Sequence, residues 1–229
     1  MLRSVLSPIH PDGWRFIAVA IVAAVLLFWL VWAPLGWLAL VVAAWIAYFF
    51  RDPWRVTPSR AGLVVSAADG VVVATDRTAP PMELGMGEAP MTRIGVFLSV
   101  FDVHVNRIPL GGRVKKLAYT KGKFLNASLD KASKENERMA IRIASDNGPD
   151  VAVVQIAGLI ARRIVCGLTE GQEVATGERL GLIRFGSRTD VYLPADWAPL
   201  VVKGQRVIGG ETVLADATSR EAQREGRSH

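Results

Sequence analysis

From Phe16 to Phe50 the chain carries no charged residue, and Pro34-Leu35-Gly36 interrupts this apolar run near its middle. Each half, Phe16 to Ala33 or Trp37 to Phe50, is near or below the roughly 20 residues a helix needs to cross about 30 Å of hydrocarbon. Two arrangements therefore satisfy the run: a tight helical hairpin with both ends on one side, or one long kinked span. Arg3 and Arg15 precede it and Arg51, Arg55 and Arg60 follow it. Retention of positive segments on the cytoplasmic side then favours the hairpin. Trp14, Trp32, Trp37 and Trp54 sit where interfacial aromatics belong. The run is too long for a cleaved signal and lacks a small-residue cleavage site. Residues 1-55 are thus expected to anchor the protein in the inner cell membrane, with the rest on the cytoplasmic side.

Beyond Asp52-Pro53-Trp54, short β-rich runs alternate with Gly, Pro and Asp, which predicts a mainly β domain over residues 56-218. Strands are expected at Leu63 to Ala67, Val71 to Thr75, Arg93 to Val100, Arg113 to Tyr119, Met139 to Ala144, Val151 to Ile156 and Arg162 to Val165. Three more are expected at Arg179 to Ile183, Thr189 to Leu193 and Thr212 to Ala215. Ala79 to Pro90 reads as a loop, and Asn126 to Arg138 as an excursion or short helix beside the site. The polar tail, 219-229, is expected to be disordered.

An octapeptide recurs 33 residues on: Gly171-Gln172-Glu173-Val174-Ala175-Thr176-Gly177-Glu178 returns as Gly204-Gln205-Arg206-Val207-Ile208-Gly209-Gly210-Glu211. Glycines around a short apolar strand suit sharp turns between packed strands. Such repeats resemble the hairpins of barrel-sandwich folds, so a barrel-sandwich-like β domain is expected. The net charge of +6 suits a surface held against anionic lipid. No aromatic-basic RNA motif or recognition-helix pattern accompanies that charge, so no nucleic-acid partner is expected. With Cys166 the only cysteine, no intrachain disulfide and no Cys-rich zinc site can form.

His104 is the one histidine inside the expected domain, at the end of a strand, where a side chain can be both held and exposed. It also reads as a hydrogen-bonded structural histidine. Gly186-Ser187 lies between two expected strands. A glycine there lets the serine hydroxyl approach the preceding carbonyl without a Cβ in the way, though Gly-Ser is also a common turn dipeptide. Asp69, followed by Gly70, reads as a hairpin-turn aspartate.

Together these residues fall into a known order. Ser66-Ala67-Ala68-Asp69-Gly70, Phe101-Asp102-Val103-His104-Val105-Asn106-Arg107-Ile108-Pro109, Asn136-Glu137-Arg138 and Phe185-Gly186-Ser187-Arg188 resemble the successive motifs of phosphatidylserine decarboxylase proenzymes, closest to the short bacterial and archaeal-type branch. The longer relatives carry Leu-Gly-Ser-Thr at the cleavage point and a second histidine where this chain has Arg107.

The resemblance implies self-cleavage between Gly186 and Ser187 and conversion of Ser187 into a covalent pyruvoyl group, with no metal. It implies a triad in which His104 is general base for Ser187 and Asp69 holds the His104 tautomer. The implied reaction is decarboxylation of phosphatidylserine to phosphatidylethanolamine, with the pyruvoyl carbonyl as electron sink and His104 as proton donor. The substrate is then a phospholipid in the membrane, and Arg107, Lys115, Lys116, Lys121 and Lys123 are cationic candidates for its phosphate. The two cleavage fragments would stay associated, and a homo-oligomer is compatible with the sequence. Two other readings fit part of it: a non-enzymatic, membrane-anchored barrel-sandwich adaptor, and a decarboxylase of an archaeal-type ether phosphoserine lipid.

Overall fold

The structure, a computed structural model, describes residues 7-127, 132-145, 148-158, 163-184 and 187-227. The chain forms two compact units, Met1–Trp54 and Arg55–His229.

The first unit is a pair of helices. A 3-10 turn at Pro11–Gly13 leads into α1 (Trp14–Leu30), and α2 (Ala33–Phe49) follows after two residues. The break falls at Val31-Trp32, so Pro34 sits in the first turn of α2, where its missing N–H removes no helical bond. The helices run antiparallel. The Phe28 and Trp37 rings meet edge to face near the connection, with centroids 5.4 Å apart, and Phe16 stacks on Phe50 at the open end. Backbone bonds from His10 N–H to Phe50 C=O and from Asp52 N–H to Pro8 C=O close that end. Pro11–Leu30, 20 residues, is long and apolar enough to cross a membrane, while Ala33–Phe49 is shorter. Most of their surface is uncovered, with Trp29, Trp32 and Trp37 all exposed.

The second unit is mainly β. Its strands are β1 (Leu63–Val65), β2 (Gly70–Thr78), β3 (Met91–Leu98), β4 (Val105–Arg107), β5 (Gly112–Thr120), β6 (Arg138–Ser145) and β7 (Val151–Ile156). Then come β8 (Arg163–Cys166), β9 (Glu173–Val174), β10 (Arg179–Arg184), β11 (Ser187–Leu193), β12 (Arg206–Val207) and β13 (Val213–Asp216). One four-residue helix, α3 (Ala132–Glu135), and a 3-10 turn at Met82–Leu84 interrupt them. Eight strands form a curled, half-barrel antiparallel sheet in the order β12-β2-β3-β11-β7-β6-β5-β9; β4-β10-β8 and β1-β13 form smaller sheets.

The order is symmetric about its centre. β2-β3 and β5-β6 are both hairpins, and each copy of the sequence repeat supplies an edge strand, β12 beside β2 and β9 beside β5. The repeat is hydrogen-bonded alike in both places: Gln172 Oε1 accepts from Thr169 N–H and Gln205 Oε1 from Val202 N–H, each at 3.1 Å. Gly70 and Gly112 open β2 and β5 at matching points. A Cβ at either would lie 2.0 or 2.1 Å from a neighbouring carbonyl oxygen, Phe97 or Ala144, so only glycine permits strands this close.

Period-two alternation decides the two faces of the large sheet. Ile94, Val96, Leu98, Ile141, Ile143, Val151, Val153, Val191 and Leu193 pack into the main core on the inner face. Ala140, Ala152, Val154, Ile156 and Tyr192 pack on the outer face with Leu84.

Candidate active site

β11 occupies the middle of the large sheet, paired with β3 on one side and β7 on the other. The strand begins at Ser187 itself, two residues before the expected Thr189, because Ser187 and Arg188 are already in register with Leu98 and Phe97 of β3. Gly186 and Phe185 lie outside the described residues.

On β11, Ser187 and Thr189 share the inner face with Val191 and Leu193. All four are buried. Ser187 Oγ has no hydrogen-bond partner. A buried hydroxyl without one is uncommon, since leaving it unmade costs about 1–3 kcal/mol.

The outer face of the same strand holds charge. Arg188 and Asp190 are both fully buried and joined from Nε to Oδ1 at 2.5 Å. Asp190 also accepts from Ser133 Oγ at 3.0 Å, tying α3 to β11, and lies 3.7 Å from Arg93, which is itself forked onto Asp76. Gly95 of β3 makes room: a Cβ there would sit 2.6 Å from Arg188 Nη2 and 2.7 Å from Asp190 Oδ1. Asn136 clamps the excursion that carries α3, donating to Leu125 C=O and Ala157 C=O and accepting from Leu125 N–H. Of that expected excursion, 128-131 lies outside the described residues.

His104 is not exposed at a strand end, as its sequence position suggests, but fully buried. A turn over Ser99 to Asp102 carries it inward, and it leads into β4, a three-residue strand the sequence reading did not separate. β10 then covers it, with Ile183 N–H donating to His104 C=O at 3.3 Å. The turn is locked by Asp102, which accepts from Ser99 N–H and Ser99 Oγ and pairs with Arg206. Burial acts to raise the Asp102 carboxyl, but those bonds outweigh it and hold the group below its ordinary value.

The expected triad partners make their described hydrogen bonds elsewhere. His104 Nδ1 lies 3.0 Å from the Asp102 carbonyl oxygen. A carbonyl only accepts, so Nδ1 carries a proton in this contact. Asp69 instead accepts from Arg55 Nη2 at 2.7 Å and from Gly209 N–H at 2.8 Å. Burial raises its carboxyl despite Arg55 and Gly209, and the Asp102 charge adds to the rise. Asp69 nevertheless stands at the Ser187 end of the sheet. Val71 is in register with Phe97 and Ser187 with Leu98, which separates the two rows by two strand spacings, roughly 10 Å.

The cationic candidates are divided. Arg107 faces away from His104 across β4 and donates to Gly177 C=O at 3.0 Å. Lys115 is exposed on β5 and paired with Asp150 at 3.4 Å. Its row meets β11 near Tyr192 and β5 lies three strands away, so along the sheet it is roughly 20 Å from Ser187.

Sequence reasoning missed three inner-face residues: Asn106, Gln155 and Thr189, all fully buried. Thr189 is in register with Gln155 of β7, and Gln155 Nε2 donates to Asn106 Oδ1 at 2.9 Å. A signal existed. Gln155 is the lone polar residue in Val151–Ile156, and Asn106 follows His104 at strand spacing. No group of three or more His, Cys, Asp or Glu side chains that could hold a metal occurs among the described residues.

Ser187 thus heads the central strand buried and unengaged, with the His104 ring beside the Asp102 carbonyl, and comparison with known proteins gives the family. The family described as "Phosphatidylserine decarboxylase" matches residues 42–215. The chain belongs to the phosphatidylserine decarboxylase family. It is 58% identical to a phosphatidylserine decarboxylase proenzyme of Cereibacter sphaeroides, over 99% of this chain and 97% of the relative. Proteins of the same name from Paramagnetospirillum magneticum and Ruegeria pomeroyi are 57% and 55% identical, covering 96% and 94% of this chain and 91% and 98% of theirs. Membership makes the chain a decarboxylase and overturns the reading as a non-enzymatic adaptor. The adaptor reading rested on the hydrophobic anchor and the octapeptide repeat, and the fold uses the repeat to supply the two edge strands.

Proposed function

We propose that this chain is a membrane-held proenzyme that cleaves itself between Gly186 and Ser187 and then decarboxylates phosphatidylserine to phosphatidylethanolamine. The observation that carries the reading is the Ser187 hydroxyl, fully buried and without a hydrogen-bond partner. A serine kept dry and unengaged is free to attack a backbone carbonyl. The name proenzyme on the relatives supports a cleavage step.

In the cleavage, Ser187 Oγ gives its proton to His104 Nε2 and bonds to the Gly186 carbonyl carbon. The Gly186–Ser187 amide bond breaks and an ester remains. Loss of the Ser187 α-proton then expels the Gly186 carboxylate, and uptake of water with release of ammonia leaves a pyruvoyl group at position 187. The Asp102 carbonyl holds the His104 ring, and Asp69 supplies negative charge at the same end of the sheet while His104 is protonated. The residues fit such a group: a pyruvoyl would be no larger than serine, and the unpartnered polar side chains of Thr189, Gln155 and Asn106 follow on the same face. Its ketone, conjugated with the amide, supplies the electron sink that a departing carboxylate requires. His104 then delivers a proton to the substrate carbon that lost CO₂.

The helical pair would lie in the bilayer with both ends on the cytoplasmic side, holding the enzyme to the membrane that carries its substrate. The test is intact mass and a denaturing gel. The wild type should resolve into two fragments divided before residue 187, the smaller reacting with a carbonyl reagent, while Ser187→Ala stays at 24.8 kDa and inactive. An unbroken chain in fully active preparations would overturn the proposal.

A further inference from the structure

Four neighbouring inner-face atoms are buried and have no hydrogen-bond partner: Ser187 Oγ, Thr189 Oγ1, Gln155 Oε1 and Asn106 Nδ2. They form one row. Thr189 follows Ser187 by one strand repeat, Gln155 faces Thr189 across β11 and β7, Asn106 accepts from Gln155, and His104 precedes Asn106 by one repeat. Val96, Leu98, Val153 and Val191 beside it on this face are aliphatic. Buried amides and hydroxyls almost always find partners, so a row of unmade bonds beside the candidate reaction centre points to something that is to be bound.

The chemistry of the row is independent of how the two amides are turned. As placed, Gln155 donates to Asn106, leaving an NH₂ on Asn106 and a carbonyl on Gln155. With both amides flipped, the same bond forms in reverse and leaves a carbonyl on Asn106 and an NH₂ on Gln155. Either way one amide donor, one amide acceptor and the Thr189 hydroxyl remain.

The geometry points to Asn106, Gln155 and Thr189 as the subsite for the α-amino carboxylate of the headgroup, an inference that rests on the reading of Ser187 given above. The amide NH₂ and the Thr189 hydroxyl donate to the carboxylate, and the amide carbonyl accepts from the amine as it approaches position 187. The three groups are neutral. They orient the carboxylate without the full ionic bond that would hold it back from leaving as CO₂.

The experiment uses the full-length protein and the variants Asn106→Leu, Gln155→Met and Thr189→Val. Intact mass first establishes cleavage before residue 187. Labelling of the new terminal carbonyl by an aminooxy reagent is then followed against O-phosphoserine or phosphoethanolamine, which differ by the carboxylate. In the wild type, O-phosphoserine should protect at a concentration about tenfold or more below phosphoethanolamine, and in the cleaved variants the ratio should fall toward one. An unchanged ratio in cleaved variants overturns the subsite. Failure of all three variants to cleave also overturns it, because the row then belongs to processing. A wild type that does not cleave at 187 instead overturns the function on which the subsite rests.

Discussion

Gly95 shows how one missing methyl can support a buried ion pair. Arg188 and Asp190 are sealed on the outer face of β11, and their side chains lie over the bare Cα of Gly95. Separating such a pair leaves uncompensated buried charge, which costs about 3–5 kcal/mol. Gly95→Ala should therefore lower unfolding stability by about 3 kcal/mol in urea titration, a loss that an ordinary strand Gly→Ala change would not produce. Asp102 offers a pH test. Its folded carboxyl titrates below the ordinary 3.8, so its stabilisation is complete above that value and is lost as pH falls through the folded value. Melting of wild type and Asp102→Asn should differ at pH 5 and converge toward pH 2. Asp69 has the opposite sign: its raised carboxyl favours the folded state at low pH and loses that contribution as pH rises. The sequence reading took Asp69 as a hairpin-turn aspartate and gave Asp102 no role. That His104 Nδ1 meets the main-chain carbonyl of Asp102 was illegible there, because a backbone contact leaves no mark on side-chain identity.

Among the elements, alternation marked the long strands well. Val151–Ile156 agrees to the residue, and β2, β5 and β6 run only one to three residues beyond their expected ends. β4 was lost because three residues cannot show a period. Its strand character comes from β10 laid against it, a tertiary cause. The two hairpins opened by Gly70 and Gly112 make a paired prediction. Alanine at either would force a Cβ into a backbone oxygen and should cost about 2–3 kcal/mol by chemical denaturation. Only Gly70→Ala should also slow self-cleavage on a denaturing gel, since it displaces Asp69 while Gly112 lies at the opposite edge.

For the whole molecule, the position of β11 decides what cleavage can do. The strand is bonded on both sides, to β3 and β7, and the chain beyond it returns to supply β12 and β13. After a break before Ser187, the small fragment remains threaded through the large one by four separate pairings. The fragments should co-elute from size exclusion in 1 M salt and separate only in denaturant. Elution as two species in salt alone would contradict that prediction.

The octapeptide repeat has a last consequence at the rims. Each end of the large sheet is finished by a strand of two residues, β9 or β12, which turns away at once. Where β12 meets Gly70 and Val71 and β9 meets Gly112 and Arg113, the outer amides of β2 and β5 that a second polypeptide could copy are already taken. Duplicating one short peptide thus gave each margin a selvedge, a stitch of woven border at the corner where the cloth begins.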